Sequence, residues 1–248
     1  LWDTPLAIPL MDLRLEKADL LAAYGMDEDT ADRFHFETGP GEELYPEGEF
    51  PERQRAQIGA ISWVAANTGL YPAGMVIGPF SLMTKLLADP ITPIALALSG
   101  LTAEDDAGIA GVERCRRLAE AAVMRSVRAQ IAAGAKAILV CEPAANIVFI
   151  SPRQLKQRPE AFAEFVLEPN LRIQNVMAEA GVDLIFHDCG ELNAEMVHAF
   201  GHVLHPAMLS LGSSRTLWED APLLPPDVVL FGNLPTRMFY SDSVMPEC

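Results

Sequence analysis

The chain has 248 residues, half of them hydrophobic, and carries a net charge of -16 from 34 acidic against 18 basic side chains. That length and apolar content suit one large domain over 1–248. The acidic balance argues against nucleic acid as a partner, because phosphate binding needs clustered Lys and Arg, and against an anionic membrane surface.

Along the chain, Leu13 to Tyr24 reads as a helix stopped by Gly25. Asp27 to Phe50 is polar and rich in Gly, Pro and acids, and reads as a long surface loop. Ile58, Ile61 and Val64 mark a second helix ending near Gly69. Met75-Val76-Ile77 is a short strand that runs into Gly78-Pro79-Phe80-Ser81-Leu82, a loop opening a helix. Val112, Cys115, Leu118, Ala122, Val127 and Ile131 give an apolar face to a long helix over 107–133, closed by Gly134. Further strands are read over 137–141, 182–186, 207–211 and 228–231, separated by helices over 159–180 and 193–203. Strands alternating with helices predict a parallel sheet with helical crossovers. No Gly-x-Gly-x-x-Gly follows a strand, so an α/β (β/α)8 TIM barrel, incomplete at its termini, is expected in preference to a dinucleotide fold.

In such a barrel the chemistry collects at the strand exits. Here they are Gly78-Pro79-Phe80-Ser81, Cys141-Glu142-Pro143, His187-Asp188-Cys189-Gly190 and Gly232-Asn233. Side chains alternate along a strand, so His187 and Cys189 point the same way and Asp188 points away. Nitrogen plus thiolate is a donor pair that suits zinc. The same residues also fit a buried Cys beside a capping His. Glu142 is open to several roles: metal ligand, base, partner to an imidazole, or acceptor of backbone N–H groups. Cys141 and Cys115 read as core. His198 and His202 are four apart on a helix without the Glu of a metalloprotease motif, and read as an outer helix face.

The four cysteines show no disulfide-framework spacing, which leads to a reducing, cytoplasmic setting as the expectation. No basic leader opens the chain, and Glu142, Pro143 and Asn146 interrupt the longest apolar stretch, so no membrane span is predicted. The opening at Leu1 and the abrupt close at Cys248 lead to the expectation that native sequence is missing at both ends.

Taken together, Gly78-Pro79-Phe80-Ser81-Leu82, Glu142-Pro143-Ala144-Ala145 with Ile150-Ser151-Pro152, His187-Asp188-Cys189-Gly190 and Gly232-Asn233-Leu234-Pro235 resemble the uroporphyrinogen decarboxylase superfamily, from about residue 72 onward. The resemblance implies a (β/α)8 barrel. It is to the branch of zinc-dependent methyltransferases, whose His-x-Cys-Gly matches 187–190. It implies zinc held by His187 and Cys189, with the third ligand either Cys248 or a Cys of a Gly-rich loop in a missing C-terminal segment. It also implies methylcobalamin carried by a partner corrinoid protein, and a small-molecule methyl acceptor such as a thiol. Glu142 is then the expected catalytic proton acceptor, and Phe80 and Asn233 the expected substrate-binding residues. The other branch, a metal-free decarboxylase of uroporphyrinogen, is the alternative. It requires arginines for the carboxylates, for which Arg153, Arg215 and Arg237 are available, and its Arg-Gln-Ala-Gly-Arg-Tyr hallmark is absent from the sequence.

Overall fold

The structure, a computed structural model, describes residues 2–27, 34–37 and 43–235. Six strands form one parallel sheet in strictly sequential order: β1 (Leu6–Ala7), β2 (Tyr71–Ile77), β3 (Ala137–Cys141), β4 (Asp183–Asp188), β5 (Met208–Leu211) and β6 (Val229–Gly232). The crossovers are helical. They include α1 (Leu15–Ala23), α2 (Glu52–Asn67), α3 (Pro79–Leu86), α4 (Thr92–Leu98) and α5 (Ala107–Ala132). After β3 come α6 (Pro152–Gln157) and a long helix made of α7 (Glu160–Phe162), a π-helical turn (Ala163–Leu167) and α8 (Glu168–Glu179). After β4 comes α9 (Ala194–Ala199), extended by a second π turn (Phe200–Leu204), and after β5 the short α10 (Leu217–Asp220).

The side chains divide into two cores. Outward residues of the strands, such as Val76, Ile138, Val140, Leu184, Phe186 and Leu209, pack under the helices with Leu82, Val112, Leu118, Val166 and Phe200. The other face gathers Ala73, Met75, Ala137, Leu139, Cys141 and Ile185 with Trp2, Tyr71, Met208 and Phe231, and among the described residues receives none from a helix. Helices on one face and sequential strand order are the winding of a barrel, not of a doubly wound sheet. Of the eight strands expected, six are present among the described residues.

Local chemistry explains the boundaries. The Asp106 carboxylate caps α5 by accepting the Gly108 N–H, and Gly134 leaves it at φ 96°. Ser151 and Gln154 form a reciprocal capping box at the start of α6. The segment expected to be a surface loop over 27–50 is not wholly so. Phe36 is completely buried, meets Tyr24 and Phe34 edge-on, and its N–H donates to the Leu86 carbonyl. A polar neighbourhood hid one apolar anchor.

β1 pairs with β2 only at Tyr71 and Pro72. Further along that margin, helix side chains take over. Met75 donates its N–H to Gln130 Oε1 at 2.9 Å, and its carbonyl accepts from Gln57 Nε2 at 3.1 Å and Gln130 Nε2 at 3.0 Å. Gly74 makes this approach feasible, since a Cβ there would lie 1.8 Å from Gln130 Oε1. Among the described residues, no helix is long and apolar enough to cross a membrane.

Candidate active site

β4 delivers His187 and Asp188 to opposite faces of the sheet. His187 lies in register with Cys141 on β3 and Ser210 on β5. The three therefore form one layer across neighbouring strands, continued by Phe231 on β6. His187 is part-buried, and burial lowers its pKa below the ordinary 6.5, so the ring is neutral near pH 7. Its Nδ1 lies 2.8 Å from Ser210 Oγ. Cys189 follows at the strand exit as an exposed residue free of any disulfide, and burial raises its thiol pKa above the ordinary value, with Asp188 adding to the rise. It is near enough to Cys141 to contribute, after burial, to pushing the Cys141 thiol up to about 12. Cys141 packs in the inner layer, and the next residue, Glu142, turns its side chain to the helical face.

Asp188 is wholly buried. Its Oδ1 accepts the Gly190 N–H at 2.8 Å, which tightens the turn that carries Cys189, and its Oδ2 has no partner. Burial pushes this carboxyl well above the carboxylate range, and Glu142 adds to the effect. Two glycines let the turn sit where it does. A Cβ at Gly190 would lie 2.5 Å from Asn146 Cβ, and one at Gly212 would lie 2.5 Å from the Cys189 carbonyl oxygen.

Glu142 meets His187 through its backbone, its N–H donating to the His187 carbonyl at 2.8 Å, but its side chain turns to the helices. Its side chain is fully buried on the helical face, where it accepts the N–H groups of Phe80 (3.0 Å) and Ser81 (2.8 Å) at the start of α3, and the Asn170 amide (3.0 Å). Burial raises its pKa, while Asn170, Ser81 and the backbone donors oppose that rise. The carboxylate stands in for an N-cap that α3 lacks, since its own N-cap residue is Gly78. Phe80, expected at the substrate, is also in the core, edge-on to Phe149. Asn233 does sit at the β6 exit, at φ 116°, with Nδ2 donating to the Arg215 carbonyl at 2.5 Å. Cys248 lies outside the described residues.

Ser210 was missed by sequence reading. The signal was a single hydroxyl in the otherwise aliphatic Met208-Leu209-Ser210-Leu211, but its meaning depends on the β4–β5 register. The helix histidines behave as expected of an outer face. His198 and His202 stack with centroids 4.1 Å apart and are exposed. A cleft of about 340 Å³ lined by Asp183, His205 and Asp227 lies at the other end of the strands, away from His187.

A model of the uroporphyrinogen decarboxylase (URO-D) family matches residues 50–245. The chain belongs to the URO-D family. Membership accounts for the barrel winding and places the described strand exits within the matched region. Among solved structures, a methyltransferase from Methanosarcina mazei superposes with a TM-score of 0.54 at 16% identity, over 72% of this chain and 48% of that one. The chain thus spans about half the length of that relative. No curated protein matches it.

The fit of this URO-D chain to a zinc ion rests on its donors. With Nδ1 turned to Ser210, Nε2 is the ring nitrogen left for a metal, and the Cys189 thiolate is a matching soft donor. Both donors fit in kind. No group of three or more His, Cys, Asp or Glu is assembled for a metal among the described residues.

Proposed function

We propose that this URO-D chain carries out zinc-dependent methyl transfer between a corrinoid protein and a thiol or similar small acceptor. The observation that carries the reading is the His187 ring held through Nδ1 in the layer it shares with Cys141, with Cys189 at the exit of the same strand and near enough to Cys141 to raise its pKa. Family membership and the likeness in fold to a methyltransferase agree with it in kind.

His187 Nε2 and Cys189 Sγ would hold the metal. Bound there, zinc keeps a coordinated thiol deprotonated near neutral pH, where a free thiol is mostly protonated. The remaining work belongs to the chain. Burial keeps His187 neutral, the form that offers a lone pair. The Asp188 carboxyl fixes the turn under Cys189 from the opposite face. Glu142, expected as the proton acceptor, acts in this reading as a structural anchor, because its oxygens are engaged by α3 and Asn170. A partner protein would carry the methylcobalamin that supplies the methyl group, and Asn233 lies at the β6 exit, where it would meet an acceptor's polar tail.

The rival is metal-free decarboxylation of uroporphyrinogen, favoured by the name of the matched family. It needs free arginines, yet Arg215 is held by Asp220 and by the Leu192 carbonyl. Arg153 is exposed on α6, and Arg237 lies outside the described residues. Metal analysis of the purified protein separates the two readings. Zinc retained by the wild type and lost in His187→Ala/Cys189→Ala supports methyl transfer. Undiminished zinc in the double variant, or coproporphyrinogen formed from uroporphyrinogen, overturns it.

A further inference from the structure

The hydroxyl of Ser210 is the one polar side-chain group on β5, and it is nearly sealed from solvent, at 7% exposure. It is boxed between two strands. On one side His187 is its register partner, with Nδ1 at 2.8 Å. On the other, Gly232 of β6 leaves so little room that an added Cβ would lie 3.3 Å from Ser210 Oγ. Among the described residues, His187 is the hydrogen-bond partner that Ser210 Oγ has, and Nε2 of the same ring has none.

A neutral imidazole carries its single proton on one nitrogen or the other, and the nitrogen without it is the basic one. We propose that Ser210 is the positioning residue of His187, its oxygen accepting the Nδ1–H so that the ring keeps one tautomer and one orientation. Nε2 is then the lone-pair nitrogen. The purpose of the arrangement rests on the proposed metal site, but the tautomer itself does not require a metal. Ser210 touches no substrate in this scheme. It acts through His187, as outer hydrogen-bond partners of ligating histidines do.

The test has two independent readouts on the full chain. The first is long-range 15N–1H correlation of the His187 ring in metal-free protein. Wild type should show the Nδ1–H tautomer, and Ser210→Ala should lose it in favour of a mixture or of Nε2–H. The second is zinc affinity by chelator competition, which should weaken about 10–100-fold in Ser210→Ala. Ser210→Thr keeps the hydroxyl and should restore both. Should Ser210→Ala fail to fold, Ser210→Cys preserves the volume with a poorer acceptor and should shift the tautomer of the metal-free protein the same way; because its thiol is itself a zinc donor, the tautomer alone is read in that variant. An unchanged tautomer together with zinc affinity within about twofold of wild type overturns the positioning role. If wild type itself binds no zinc, the metal reading fails, and the tautomer measurement alone decides for or against Ser210.

Discussion

The Glu142 side chain occupies the space that a Cβ at Gly78 would fill: its Cδ lies 2.1 Å from the ideal Cβ position. The two residues are therefore fitted to each other across β2 and β3. Gly78 is needed here for room and not for an unusual φ, which is -74°. Gly78→Ala should push the carboxylate off the N–H groups of Phe80 and Ser81 and leave buried polar groups unpaired. The expected loss is about 3 kcal/mol of unfolding free energy, measured by urea denaturation.

Glu142→Gln tests the same contact without a clash. The amide retains one acceptor oxygen but turns an NH2 toward backbone donors. It should cost about 1–3 kcal/mol of stability. If Glu142 is an anchor, zinc content should be unaffected, whereas metal lost from a folded Glu142→Gln protein would return the residue to the site.

Glu16 predicts the pH dependence. It is fully buried, accepts from Ser126 Oγ at 2.8 Å, and burial raises its pKa from 4.5 to about 7, helped by Asp19. A carboxyl raised on folding is more easily protonated in the native state. Its stabilising contribution is complete below about pH 4.5 and is lost as pH climbs through about 7. Asp19, raised to about 6 by burial against the opposing Arg125, acts with the same sign. Glu16→Gln should remove the Glu16 part of the slope. Its stability relative to wild type should improve by up to about 3 kcal/mol between pH 5 and pH 8. Parallel stability curves for the two proteins would contradict this.

Gly212→Ala should act on the site more than on the fold. The new Cβ would meet the Cys189 carbonyl oxygen at 2.5 Å and its Cα at 2.7 Å, so the turn carrying the thiol has to move. Zinc affinity should fall at least tenfold, with a stability loss of about 1–3 kcal/mol. Chelator competition and thermal melting measure the two effects.

Asp183 ties the start of the chain to the sheet. Its Oδ2 accepts from Trp2 Nε1 at 2.7 Å and from the Tyr71 hydroxyl at 3.0 Å, while Trp2 stacks on Tyr71 with centroids 4.7 Å apart. Asp183→Ala should release Trp2 at a cost of about 1–3 kcal/mol. The other tryptophans, Trp63 and Trp218, are 61% and 80% exposed, so a red shift in fluorescence would report Trp2.

The sequence revealed most where a pattern was local. The apolar run Ala137-Ile138-Leu139-Val140-Cys141 is β3 as expected, and Gly134 and Gly181 fall where α5 and α8 end. The end of β4 at Asp188 was legible because the apolar run Leu184-Ile185-Phe186 gives way there to His187-Asp188-Cys189-Gly190. Contacts set by register were not. Ser210 gains its meaning only beside His187, and Glu142 only when α3 docks its first N–H groups over β3. Two helices were passed over although their signals were present. Pro152 opens α6 inside the Ser151-x-x-Gln154 capping box, and Pro93 stands in the first turn of α4, both positions where proline suits a helix start. β1, two residues long, carries too little pattern to be found.

Met75 surrenders its main-chain N–H and carbonyl to amides carried by α2 and α5. A foreign strand approaching that rim would find its ladder positions already taken. Unprotected rims are where sheets recruit neighbours and begin to aggregate. Two glutamines, admitted by a glycine, give this molecule a guard against such recruitment without spending another strand on it.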